Sequence, residues 1–182
     1  MKKLLIALML VCMIFSIAGC AKEEPSPATS GKSAGISGEV NKQEAEDIKV
    51  KLYFPNNDAS EMVAVEKTVK VTGTTKYKAA IEALLAGTTD KKLTNVIPKK
   101  TKLLGAEVVK DTIKLNFSKE LIDDFNGGST GEEMLVGSIV NTMTEFPEIK
   151  KVHILVEGKT VDTIKGHMDT SVPLTRMKEL LK

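Results

Sequence analysis

The stretch Ser129-Thr130-Gly131-Glu132-Glu133-Met134-Leu135-Val136-Gly137-Ser138-Ile139-Val140-Asn141-Thr142-Met143-Thr144-Glu145-Phe146-Pro147 decides the fold. Leu135, Val136, Ile139, Val140, Met143 and Phe146 fill one arc at about 100° per residue, which predicts an amphipathic helix. Ser129 and Thr130 each have a glutamate three residues on, Glu132 and Glu133, the spacing of a capping box in two registers. Pro147 lacks an N–H donor and stops the helix. The opposite arc holds Gly137, Ser138, Asn141 and Thr144, with Glu133 and Glu145 at its edges. Glycine inside a helix costs about 1 kcal/mol relative to alanine, so Gly137 needs a reason. Close approach by a partner's backbone is one, and close packing within the domain is the other. The four residues Gly137, Ser138, Asn141 and Thr144 are therefore the candidate partner interface.

Strands flank this helix on both sides. Val152, Ile154 and Val156 alternate after it. Leu104, Ala106 and Val108, then Ile113, Leu115 and Phe117, alternate before it as a hairpin turning at Lys110-Asp111. Leu121 to Phe125 predicts a short helical turn. Further out, Tyr77, Ala80, Ile81, Leu84 and Leu85 mark an earlier helix, capped at Thr74 and stopped by Gly87. Before that, Ile48, Val50, Leu52 and Phe54, and then Val63, Val65, Val69 and Val71, predict two strands about a turn at Pro55-Asn56-Asn57-Asp58. Val161 to Ile164 predicts a last short strand, ahead of a tail and a small terminal helix. The order β-β-α-β-β-α-β-β defines an α+β domain with helices covering one face of one sheet.

The N-terminus reads differently. Lys2 and Lys3 precede an apolar run from Leu4 to Phe15, the length of a signal-peptide core and too short to span a bilayer. Ser16-Ile17-Ala18-Gly19-Cys20 follows and resembles the bacterial lipobox, which implies lipidation of Cys20 as the first mature residue. Residues 1–19 are thus expected to be a lipoprotein signal peptide. Residues 20–46, rich in Ser, Gly, Pro, Lys and Glu, cannot bury enough apolar surface to fold and are expected to be a tether. Residues 47–182 form the domain.

Composition narrows the function. Lys and Arg total 26 against 24 Asp and Glu, and Arg176 is the single arginine. Loss of Lys2 and Lys3 with the signal leaves no net charge, which argues against a nucleic-acid partner. Cys12 would also leave, so no disulfide is expected and the core alone must stabilise the domain. No G-x-S-x-G elbow exists, and Ser138 lies inside a helix. His167 and Asp169 are too few for a metal site, and His153 points outward from a strand. Gly127-Gly128-Ser129-Thr130-Gly131 lacks the lysine of a phosphate loop. Glu120, Asp123 and Asp124 read as a surface turn. No catalytic residue, metal or cofactor is expected.

Several stretches together resemble the GerMN domain of sporulation and spore germination. They are Val50-Lys51-Leu52-Tyr53-Phe54-Pro55-Asn56, Ala80-Ile81-Glu82-Ala83-Leu84-Leu85-Ala86-Gly87, Ile97-Pro98 and Leu115-Asn116-Phe117-Ser118. Ile139-Val140-Asn141-Thr142-Met143-Thr144-Glu145-Phe146-Pro147 is the most specific, and Gly166-His167-Met168-Asp169 with Pro173-Leu174-Thr175-Arg176 closes the pattern. The resemblance implies a fold similar to the ring-building motif of envelope secretion machines, with core order α-β-β-α-β. It also implies a non-enzymatic assembly module on the outer face of the bacterial cytoplasmic membrane, held there through Cys20. Its expected partners are envelope or sporulation proteins, including further copies of itself. The alternative is a lipoprotein that binds a small ligand such as a peptidoglycan fragment, for which a pocket lined with aromatics is expected.

Overall fold

The computed structural model describes residues 45–72 and 75–181. The expected signal peptide and Cys20 lie outside these residues, as do most of the expected tether and Thr74. Elements run in the order β1 (Glu46–Pro55), β2 (Met62–Val71), α1 (Lys76–Leu85), β3 (Leu103–Val109), β4 (Thr112–Phe117), α2 (Glu120–Asp123), α3 (Ser129–Met143), β5 (Lys151–Val156), β6 (Lys159–Thr160) and β7 (Leu174–Thr175). A 3-10 turn at Lys178–Leu180 follows. The domain is α+β, as the alternating and helical periodicities require.

The strands form two sheets rather than the expected one. β1 and β2 pair antiparallel as a separate ribbon, from Glu46 opposite Val71 to Pro55 opposite Met62. The second sheet has the order β3-β4-β5-β6, with β7 also on β5. β3 and β4 form the expected hairpin, Lys110 taking the left-handed position at φ 59°. β4 and β5 are parallel, which forces the long crossover that α2 and α3 supply. The short strand expected at Val161 to Ile164 is instead β6, beginning at Lys159, because Glu157 and Gly158 both take positive φ (50° and 75°) and turn the chain directly after β5. Two residues at positive φ suit the right-handed twist of a tight hairpin.

Helix α3 is covered all round. It packs on β1 and α1 and on β5 of the second sheet. Every residue from Met134 to Met143 is buried. Leu135, Ile139 and Met143 meet a core that includes Ile113, Leu115, Phe117 and Ile154. Burying a large aliphatic side chain is worth about 1.5–3 kcal/mol, so this helix organises the domain. Thr75, rather than Thr74, caps α1, its hydroxyl accepting from the Lys78 N–H.

Candidate functional site

The face of α3 expected to receive a partner is filled by the domain itself. Gly137, Ser138 and Asn141 are buried and Thr144 is half-buried. A Cβ at Gly137 would lie 2.6 Å from Leu180 Cδ1 and 2.7 Å from Met62 Cε. Glycine is there so that β2 and the C-terminal turn can approach the helix. The candidate interface is corrected accordingly: these residues are internal contacts.

Asn141 shows how the packing is fixed. Its Nδ2 donates to the Met177 carbonyl at 3.0 Å, and its Oδ1 accepts from the Met177 N–H at 2.9 Å. The side-chain amide thus pairs with both backbone polar groups of Met177 as a neighbouring strand would. One residue on, the Thr142 hydroxyl accepts from the Tyr53 N–H of β1 at 3.1 Å. Arg176 donates to the Asn141 carbonyl, the Thr144 hydroxyl and the Tyr53 hydroxyl, and pairs with Glu145. Tyr53 in turn donates to Glu145 at 2.6 Å, and Lys51 Nζ lies 3.5 Å from the other Glu145 oxygen. β7, pinned to β5, delivers Arg176 to this cluster, so the segment acts as a strap. The last turn of α3 is therefore a latch holding the β1–β2 ribbon and the C-terminal strap.

Electrostatics follow from those contacts. Burial opposes ionisation of Glu145, but hydrogen bonds from Tyr53 and Arg176 and the charges of Arg176 and Lys51 outweigh it, leaving the pKa below its ordinary 4.5. The Tyr53 hydroxyl is pushed up, by burial first and by the Glu145 carboxylate second. Beyond the latch, Phe146 packs edge-on against Tyr77, centroids 5.0 Å apart. Hydrogen bonds from Lys76 and then Tyr77 lower Glu148 to about 2.

Glu132, in the first turn of α3, does not cap the helix as its spacing suggested. The helix starts on Gly128 with no side-chain cap. Glu132 is buried, and its carboxylate accepts the N–H groups of Ile164 and Lys165 on one oxygen and of His167 on the other, at 2.9–3.0 Å. It folds the segment before the strap instead of capping the helix. His167 itself is exposed, and Asp169 is occupied by Ser171. His153 is half-buried on β5 opposite Lys114. The Glu120–Asp124 turn carries surface pairs from Lys119 to Asp123 and from Lys100 to Asp124. Among the described residues, no group of three or more His, Cys, Asp or Glu side chains is placed to hold a metal.

A cavity of about 290 Å³ opens beside α3, where β1, the end of α1 and the following loop meet. Phe54, Leu84, Leu85 and Ile97 form its apolar wall, Lys99 stands at its exposed side, and Ser138 lines its inner side. The loop owes its shape to Gly87, at φ 77°, whose absent Cβ would collide with Asn95 Oδ1 at 2.6 Å. That oxygen accepts from Thr88 N–H and the same amide donates back to the Thr88 carbonyl. Sequence reasoning did not reveal this cavity, because its walls are separated by up to 84 positions and most read individually as core.

The fold is an α+β domain with a latched hairpin ribbon and a β-β-α-β core. The pattern defining the Germane family, sporulation and spore germination, matches residues 51–162, and the chain belongs to that family. Among solved structures it is similar to a candidate lipoprotein from Clostridium perfringens, at 32% identity and a TM-score of 0.54, covering 72% of this chain and 89% of that one. It also shares its fold with the first GerMN domain of the sporulation protein GerM from Bacillus subtilis, at 20% identity, a TM-score of 0.55, and coverage of 72% and 98%. Against the tandem GerMN domains of that protein, at 21% identity and a TM-score of 0.54, coverage is 83% of this chain and 50% of the tandem. No match to a curated protein was found.

Proposed function

We propose that this chain is a lipid-anchored, non-enzymatic assembly module on the outer face of the cytoplasmic membrane, acting in sporulation or germination. The observation that carries the reading is the family match, which covers nearly the whole described domain. Anchoring is supported by the order of Lys2-Lys3, the apolar run and Ile17-Ala18-Gly19-Cys20, and by the likeness to the Clostridium perfringens lipoprotein candidate. A non-enzymatic role is supported by the use of Asn141, Thr142, Thr144, Glu145 and Arg176, which hold the domain together rather than face a substrate. With the α3 face taken, partners meet another surface. Among the described residues β3 pairs on one side only, and its Leu104, Val108 and Val109 are 40–50% exposed. An open sheet edge of that kind is a template for a further strand.

The test is fractionation and affinity capture of wild type and Cys20→Ala from vegetative and sporulating cells. Wild type is expected in the membrane fraction with envelope proteins captured beside it, and Cys20→Ala is expected free of lipid and without them. An unmodified Cys20 thiol in mature wild-type protein, or identical captures from the two variants, would refute the reading.

A further inference from the structure

We infer that the cavity beside α3 is a binding site for a small bifunctional aliphatic acid, one carrying a carboxylate at one end and a hydroxyl or carbonyl at the other. Three observations meet there. The first is an unpaired polar group. Ser138 is fully buried, lines the cavity, and its hydroxyl has no hydrogen-bond partner among the described residues. Burying a hydroxyl without compensation is unfavourable, and the neighbouring buried polar groups Asn141 and Thr142 of this helix are paired. A ligand atom that donates to or accepts from Ser138 Oγ removes that cost.

The second observation is the wall. Phe54, Leu84, Leu85 and Ile97 offer an aliphatic wall with one aromatic ring, beside the polar groups of Asn95, Lys99 and Ser138. That composition suits a methylene chain and not a sugar, which would need aromatic platforms and several hydrogen-bonding groups. A cavity of ~150 Å³ holds benzene, so 290 Å³ admits a body of roughly ten non-hydrogen atoms. The third observation is the charge. Lys99 lines the exposed side, where an ammonium favours a carboxylate left near solvent. Outer charge, aliphatic body and inner polar atom define the class.

This inference stands apart from the assembly reading and survives its failure. The test uses calorimetric titration of the full-length processed protein with three probes: ω-hydroxyhexanoate, hexanoate and hexanol. In wild type the hydroxy acid is expected to bind about tenfold more tightly than either of the others, the size of one net hydrogen bond or one favourable charge. Ser138→Ala is expected to erase its advantage over hexanoate while leaving the advantage of acid over alcohol. Lys99→Gln, at an exposed position, is expected to do the reverse. Absence of saturable binding of the hydroxy acid to wild type would overturn the inference. So would a preference for the hydroxy acid over hexanoate that Ser138→Ala leaves unchanged.

Discussion

Asn141 and Ser138 lie within one turn of the same helix and are equally buried, yet they live in opposite conditions. Asn141 spends its amide on both backbone polar groups of Met177. Ser138 lines a cavity, and its hydroxyl has no hydrogen-bond partner among the described residues. Both stood in the sequence as members of one polar stripe. The difference teaches that a buried polar residue has a structural or a ligand-directed use according to whether the fold itself supplies its partner. At Asn141 it does, through a strap that arrives from the far end of the chain. At Ser138 it does not.

The comparison is broken most severely at Gly137, between the two. Gly137→Lys drives a charged chain into the apolar side chains of Leu180 and Met62. We expect a loss above about 4 kcal/mol, enough to unfold a domain of ordinary stability. Circular dichroism showing native structure at 25 °C, together with lost association, would restore the α3 face as an interface.

Asn141→Ala comes next. It leaves the Met177 N–H and carbonyl buried without partners, at about 1–3 kcal/mol each, so a loss near 3 kcal/mol is expected in urea unfolding. Release of the strap should also expose Arg176 and its neighbours to faster amide exchange.

A smaller effect sharpens the latch side through pH. The Glu145 pKa is below 4.5 in the folded state, so the folded protein binds fewer protons than the unfolded chain in that range. Its contribution is full above pH 4.5 and is lost as the pH falls through the lowered value. Glu145→Gln should therefore cost about 1 kcal/mol at neutral pH, since both partners are roughly a quarter exposed, and should flatten the acid limb of the stability curve. A variant whose acid limb matches wild type would remove Glu145 from the latch.

The elements themselves were legible because periodicity is local. Alternation marked β1 to β5, and the helical arcs marked α1 and α3. Alternation assigns faces but not partners, so the separation of β1 and β2 into their own ribbon was hidden. Local spacing also misled at Glu132, whose capping-box position concealed its use by N–H groups 32–35 residues later. Arg176 meets Tyr53 across 123 residues. Its being the single arginine was the one signal available for it. Gly158 was a similar missed signal for the turn that starts β6.

The smallest expected effect bears most directly on the claim that Asn141 and Ser138 differ in kind. Ser138→Ala should be measured by urea unfolding beside Asn141→Ala, in protein free of added ligand. Removing a hydroxyl that has no partner relieves its desolvation without breaking a bond, and alanine is the better helix former. The account predicts that Ser138→Ala leaves stability unchanged or raises it by up to about 1 kcal/mol, while Asn141→Ala loses about 3 kcal/mol. A loss at Ser138→Ala as large as that at Asn141→Ala would show that its hydroxyl is bound within the fold, and would contradict both the contrast and the ligand site drawn from it.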